Sequence, residues 1–302
     1  MNLAVNIAGL RLKNPILSAS GCFAYGEEAS EVFDLSLLGG VVTKSLTYLP
    51  REGLPPPKVV ETDAGMLNAI GLSNVGIDKF ISEKLPFLQK YNTACIASIA
   101  GSTIDEYIRL TERLAEHDSV SAIEVNISCP NVDEGGLEFG AFSGPAGKVI
   151  KAVKQRYSGP VIAKLSPNVT DIVEIARSVV DNGADAVSLI NTLVGAVIDV
   201  EKRKFKLSNR YGGLSGPAIR PVALAMVCKV ASAIDTPVIG MGGITTAGDA
   251  LQFLLAGARA VEIGTACFFD PLAPLKIIDG IKDYLERHGE NDINNIIGIM
   301  KG

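Results

Sequence analysis

Histidine is nearly missing from this chain: His117 and His288 are the two in 302 residues. A His-based triad or a zinc site therefore has almost no material. Both fall at the ends of polar helical stretches, where a partner for the helix dipole is the simpler role. Cysteine is thinly spread as well. Cys22, Cys95, Cys129, Cys228 and Cys267 lie far apart, and no CxxC pair occurs. That spacing argues against an iron–sulfur cluster on this chain. An odd, scattered set suits reduced thiols, so a cytoplasmic location is expected. Positive charge is not in excess, since the net charge is −5, and nothing points to nucleic acid or an acidic membrane surface. No apolar run reaches the length of a membrane span. The start, MNLAVNIAGLRLKNP, has neither a basic n-region nor a long apolar h-region, so no secretory leader is expected. No GxGxxG opens a βα turn, which removes the fingerprint of a dinucleotide-binding sheet. Repeats, low-complexity tracts and domain linkers are absent too.

What is present is a regular alternation. Apolar runs that read as strands occur at PILSAS (15–20), GVVTKS (40–45), ACIASIAG (94–101), AIEVNISC (122–129), PVIAKLS (160–166), AVSLINT (186–192), PVIGMGG (237–243) and AVEIGTA (260–266). Near-continuous apolar runs are expected of parallel strands buried on both faces. Helical stretches separate them. DEYIRLTERLAEH (105–117) spaces Ile108, Leu110 and Leu114 at roughly helical intervals, and DIVEIARSVVDNG (171–183) ends on a glycine suited to the C′ position. PVALAMVCKVASA (221–233) and DALQFLLAGA (249–258) repeat the pattern. The alternation predicts an α/β fold, a (β/α)₈ TIM barrel forming one domain over 1–302. LAVNIAGLRLKN reads as an N-terminal hairpin turning near Gly9, a candidate plug for the barrel bottom. The connections after strands 2, 4 and 6 are long. In this fold they rise over the C-terminal face, where active sites sit, and loops of that length serve as lids or binding elements.

The strand ends carry the chemistry. Strand 1 ends in Ser20, strand 2 in Lys44–Ser45 and strand 3 near Ser98. Strand 4 holds Asn126 and Cys129, strand 5 Lys164, and strand 6 Asn191–Thr192. One strand lysine is explained by snorkelling at the barrel mouth. Two of them, Lys44 and Lys164, favour an anionic ligand, because a buried ammonium needs a counter-charge. A lone buried asparagine is explained by a structural hydrogen bond. The pair Asn126 and Asn191 also suits a planar heterocycle with amide edges. Gly240–Met241–Gly242–Gly243 and Gly264–Thr265 follow strands 7 and 8, where this fold often binds phosphate through backbone N–H groups. Tight turns account for one such loop, but both together favour phosphate. A phosphate at loops 7 and 8, a central lysine and facing amides describe an FMN site better than a sugar-phosphate site. A Schiff-base aldolase would use a strand lysine but leaves the Asn–Cys pair of EVNISCPN (124–131) unexplained.

These motifs, taken together and in order, resemble the dihydroorotate dehydrogenase family. The resemblance rests on SASGCF (18–23), GMLNAIGLSN (65–74), NISCPN (126–131), KLSPN (164–168), INT (190–192), GGLSGPA (212–218), GMGGI (240–244) and IGTA (263–266), and covers essentially the whole chain. It implies an FMN enzyme that oxidises dihydroorotate to orotate in de novo pyrimidine (UMP) synthesis. Cys129 is similar to the base of class 1 members, where class 2 members use serine and associate with membranes. The NAIGL form of the substrate loop and the GGLEFG lid look like class 1B. Ser98 departs from the asparagine expected in many 1B sequences.

The resemblance also implies roles. Cys129 would take the C5 proton of dihydroorotate, while a hydride passes from C6 to flavin N5. Lys44 would lie near both substrate and flavin. Asn68, Asn126, Asn191 and Thr192 would bind the pyrimidine ring and carboxylate, with the backbone of Ala69, Ile70, Gly71 and Leu72 alongside. Lys164 would stabilise reduced FMN. Ser20, Ser45, Ser98, Ile190, Gly216, Gly242, Gly243, Gly264 and Thr265 would complete the cofactor site. Class 1B enzymes pass electrons to NAD⁺ through FAD and a [2Fe–2S] cluster. Those centres are expected on a separate iron–sulfur flavoprotein subunit, in a heterotetramer of two of each. The rivals are a class 1A-like homodimer using fumarate, another FMN barrel reducing a dihydropyrimidine or dihydrouridine, and a barrel that binds a phosphorylated ligand without catalysis. The other cysteines, Cys22, Cys95, Cys228 and Cys267, are expected to be small buried fillers.

Overall fold

The computed structural model describes residues 1–128, 130–131 and 137–301. Eight parallel strands close into a barrel: Ile16–Ser18, Gly40–Val42, Ala94–Ile99, Ala122–Asn126, Val161–Lys164, Ala186–Leu189, Val238–Met241 and Ala258–Ile263. We number them 1 to 8. Each pairs with the next in sequence, and strand 8 pairs with strand 1. The protein is thus a (β/α)₈ barrel. Strands 1, 2, 5, 6 and 7 are buried at every position, as strands covered by helices on one side and a filled barrel on the other must be.

The strands stop sooner than the apolar runs do. Strand 2 ends at Val42 and strand 6 at Leu189, so Lys44, Ser45, Asn191 and Thr192 lie just past the ladder, on the rim. At strand 8 the boundary moves the other way. The preceding helix spans Ala247–Leu255, and Gly257 turns the chain with φ +112° so that the strand begins at Ala258 rather than Ala260.

The helices cover the barrel with faces the sequence sets. Ile104–Ala115 starts at Thr103, whose side chain accepts from Glu106 N–H, and buries Tyr107, Leu110, Thr111 and Leu114. Ile108 is only partly buried, because that spacing of three and four residues puts Tyr107 at the centre of the face instead. Ile172–Asp181 is capped by Asp171, and Gly183 beyond its end adopts φ +101°. The predicted N-terminal hairpin pairs Val5–Ile7 with Leu10–Leu12 across Ala8–Gly9. Val5, Ile7 and Leu12 join the main core. Among the described residues no helix is long and apolar enough to cross a membrane.

The long loops after strands 2 and 6 are not separate lids. Val59–Thr62 and Gly65–Asn68 form a hairpin from the first. Leu193–Gly195 and Gly212–Ser215 come from the second. Together they make one antiparallel sheet of four strands, in which Gly213 pairs with Asn68 and Leu214 with Leu67. Gly213 is required by a close approach: a Cβ there would collide with Thr192 Oγ1 and lie 2.6 Å from Thr192 Cβ. The loop after strand 4 pairs Pro130–Asn131 with Leu137–Glu138.

Candidate active site

The strand ends and the four-stranded sheet enclose a cavity of about 650 Å³ at the C-terminal mouth of the barrel. That volume suits a ligand of cofactor size. Its walls divide by chemistry.

One wall is a glycine cradle. Gly216, Gly242, Gly243, Gly264 and Thr265 all line the cavity. Gly242 and Gly243 take φ +123° and +73°, in the left-handed region. A Cβ on Gly243 would lie 2.6 Å from the Gly216 carbonyl oxygen and 2.8 Å from Arg220 Cβ. The backbone N–H groups of Gly243, Gly264 and Thr265 have no backbone acceptor among the described residues. Unspent N–H donors on a glycine loop are what an anion needs. Asp249 braces the cradle from behind. Its carboxylate accepts from the N–H groups of Thr245 and Thr246, closes a capping box on helix Ala247–Leu255, and pairs with Arg220.

A second wall is the strand 2 loop. Asn68, Ala69, Ile70, Gly71 and Leu72 line the cavity. Gly71 and Leu72 both adopt left-handed backbones, φ +70° and +55°, and their N–H groups have no backbone acceptor among the described residues. Successive N–H groups in such a turn form a second anion-binding concavity. Asn68 donates through Nδ2 to the Gly213 carbonyl at 3.2 Å, which fixes the side chain across the sheet.

Amides and hydroxyls fill the rim between. Asn126 Nδ2 donates to Ser45 Oγ at 3.4 Å, and its Oδ1 accepts from Ser128 N–H at 3.2 Å. Asn191 Nδ2 donates to Ser128 Oγ at 3.0 Å, with Thr192 N–H on its Oδ1 at 2.8 Å. Each amide keeps hydrogen-bonding capacity for a ligand. Ile190 lies beside them on the cavity wall. A hydroxyl chain runs inward from Ser20 to Ser45 at 3.3 Å and on to Ser98 at 3.0 Å. Ser20 and Ser45 line the cavity, whereas Ser98 is fully buried behind Ser45 and does not.

The two lysines differ sharply. Lys44 is half-buried at the cavity, and no ion pair involves it among the described residues. Burial lowers its pKa, helped by Lys58, while Glu28 works the other way. Lys164 is buried where it lines the cavity, and its counter-charges come from the protein. Nζ lies 3.5 Å from Glu124 Oε1 and 4.0 Å from Glu262 Oε2. An anionic ligand is therefore not needed to explain Lys164, contrary to the inference from sequence. Glu124 and Glu262 were missed there, although Glu124 sits two residues from Asn126 and so shares its inward face.

The remaining cysteines divide. Cys95 and Cys267 are buried, as fillers should be. Cys22 is half-buried and lines the cavity, and Cys228 is exposed on helix Arg220–Ala233. Cys228 is thus no filler: one turn after Leu224 it falls off the buried stripe of Ala223, Val227 and Val230. Cys129, the candidate base, lies outside the described residues.

The family model described as dihydroorotate dehydrogenase matches residues 2–285. A protein of Geotalea uraniireducens (strain Rf4), named dihydroorotate dehydrogenase B (NAD(+)), catalytic subunit, is 53% identical over 299 residues, which is 99% of this chain and 98% of its own length. Proteins of the same name from Alkaliphilus oremlandii (strain OhILAs) and Bacteroides thetaiotaomicron (strain ATCC 29148) are 51% and 49% identical, over 98% and 99% of both chains.

Proposed function

The chain belongs to the dihydroorotate dehydrogenase family, and from that premise we propose that it oxidises (S)-dihydroorotate to orotate with FMN and passes the electrons towards NAD⁺ through a partner subunit. The observation that carries the reading is one shared cavity, in which Lys44, with no ion pair among the described residues, and the amides of Asn68, Asn126 and Asn191 face a glycine cradle.

FMN fits the donor set. The N–H groups of Gly243, Gly264 and Thr265, which have no backbone acceptor among the described residues, suit its phosphate, with Gly216 and Gly242 keeping the wall open. Ser20, Ser45, Ile190 and Lys164 would complete its contacts, with Ser98 supporting Ser45 from behind. Bound FMN supplies a hydride acceptor for C6 of the substrate. The other tasks fall to the chain. Lys44 and the N–H groups of Gly71 and Leu72 hold the substrate carboxylate. Asn68, Asn126, Asn191 and Thr192 orient the ring through its amide edges, with Ala69 and Ile70 alongside. Cys129 removes the C5 proton as a thiolate, for which a free thiol pKa of roughly 8.5 is within reach of neutral pH. Loss of that proton and of the C6 hydride makes the C5–C6 double bond of orotate.

The relatives' name, a catalytic subunit of an NAD(+) enzyme, supports a separate electron-transfer chain. This chain's cysteines have no cluster spacing. We therefore assign FAD and a [2Fe–2S] centre to an iron–sulfur flavoprotein, assembled two and two with this chain in the cytoplasm.

Anaerobic titration tests the reading. The purified, FMN-loaded chain should be yellow and should bleach at the flavin band on adding dihydroorotate. A protein that stays colourless after FMN addition overturns it. Rapid turnover of the isolated chain with fumarate would replace the NAD⁺ assignment by a class 1A-like one.

A further inference from the structure

Below the cavity, side chains from strands 4, 5, 6 and 8 meet inside the barrel. Glu124 is completely buried, Glu262 is 2% exposed and Lys164 is 5% exposed. Lys164 Nζ lies within 4.0 Å of an oxygen of each carboxyl group. Ser188 Oγ donates to Glu124 Oε2 at 2.9 Å. Glu262 lines the cavity, and its Oε2 has no hydrogen-bond partner among the described residues.

One ammonium cannot neutralise two carboxylates, and an uncompensated charge in a barrel interior is strongly unfavourable. Both carboxyl groups converge on the same ammonium, where a proton held by one of them relieves the repulsion that two anions would feel. Glu124 already accepts from Ser188 and Lys164, so it is the better-solvated anion. Glu262, with its orphaned oxygen, is the better acid. Its pKa is pushed well above the usual carboxylate range by burial first and by Glu124 second. Burial alone would lower Lys164, but Glu124 and then Glu262 more than offset this. Among the described residues Cys22 also faces the cluster, and burial pushes its thiol up to about 11, so it stays uncharged.

We infer that Glu262 and Glu124 share one proton, and that the single negative charge they present to Lys164 keeps this lysine from acting as an unopposed cation beside the bound flavin. The inference rests on the flavin reading given above. Glu262 acts through Lys164 and is a positioning residue. An unopposed ammonium would favour the negative charge that reduction adds and would raise the flavin potential. A lysine balanced by a carboxyl pair leaves the potential lower. A nicotinamide is a weak oxidant, so only a low-potential donor passes electrons on to it. The cluster adapts the site to that class of acceptor.

Glutamine variants of the FMN-loaded chain test this through the midpoint potential at neutral pH, measured against reference dyes. Glu262→Gln should leave it unchanged, because an amide replaces an uncharged acid. Glu124→Gln should change it little, because Glu262 then gives up its proton and takes over the charge. The double variant frees Lys164, and the preference for reduced over oxidised FMN should rise at least tenfold. Equal, additive rises in the two single variants would mean that both carboxylates are ionised and would overturn the inference. So would a double variant with an unchanged potential. Infrared spectra of the flavin-free chain give a second readout. They should contain the carbonyl band of a buried protonated carboxyl group, shifted in D₂O and missing in Glu262→Gln. Absence of that band from the unmodified chain overturns the inference even where a variant does not fold. A chain that takes up no FMN overturns the flavin reading and leaves the infrared result standing.

Discussion

Lys44 and Lys164 show how far a residue type fixes a role. Both were legible in the sequence as strand-end cations, and both reach the cavity. What separates them is invisible along the chain: Lys164 meets two glutamates from strands 4 and 8, whereas no ion pair involves Lys44 among the described residues. The period-2 alternation of Glu124 with Asn126 was the available signal for one of those glutamates. Lys44→Ala should therefore spare folding and lower kcat/KM for dihydroorotate by roughly 10²-fold, as loss of a charge-assisted contact does. Its pH behaviour follows from burial. Because the Lys44 pKa is lowered from 10.5, the cation is lost earlier as pH rises. The KM for dihydroorotate should climb on the alkaline side at a pH below 10.5, and a KM flat to that value would count against the role. Cys129→Ala should slow flavin reduction by about 10²–10⁴-fold in anaerobic stopped flow while FMN stays bound. Cys129→Ser should recover activity only at high pH, since a hydroxyl is a far weaker acid than a thiol.

At the scale of elements, the strand–helix alternation was readable because each buried strand is a continuous apolar run. The covering sheet over the mouth was not. Its hairpin Val59–Thr62/Gly65–Asn68 pairs with Gly212–Ser215, nearly 150 residues away, and no local pattern encodes a partner that distant. The glycine cradle was readable from Gly242, Gly243 and Gly264, but its brace, Asp249, was not. Asp249 looks like any acidic residue in a first helical turn until Arg220 and Thr245 converge on it. Asp249→Ala should cost about 1–2 kcal/mol in urea unfolding, the value of a capping interaction. Burial by itself would raise the Asp249 carboxyl, but the hydrogen bonds from Thr245 and Thr246 more than offset it and hold the pKa below 3.8. A depressed folded pKa contributes stability above the unfolded value and loses it as pH falls through the folded one. The stability gap between wild type and Asp249→Ala should thus narrow below pH 3.8. Gly243→Ala should lower FMN content more than it lowers Tm, because the added Cβ meets the Gly216 carbonyl on the cradle wall. Full FMN retention would remove that loop from the phosphate site.

For the whole molecule, the prediction concerns separation of tasks. The isolated chain should be reduced by dihydroorotate yet transfer electrons to NAD⁺ only at background rate. Adding the iron–sulfur flavoprotein should restore NADH formation, followed at its absorbance band. Normal NAD⁺ reduction by the chain alone would mean that no second subunit is required.

The pairing of strand 8 with strand 1 bears on how the protein is made. Val261–Ile263 lies against Ile16–Ser18, joining segments far apart along the chain. The cradle of Gly264 and Thr265 follows directly after that seam. A growing polypeptide emerging from the ribosome therefore has seven of the barrel strands synthesised before the seam can close. On the proposal that the cradle takes the FMN phosphate, cofactor loading is expected only after strand 8 has joined strand 1, so that FMN supply would act on maturation rather than on the folding of nascent chains.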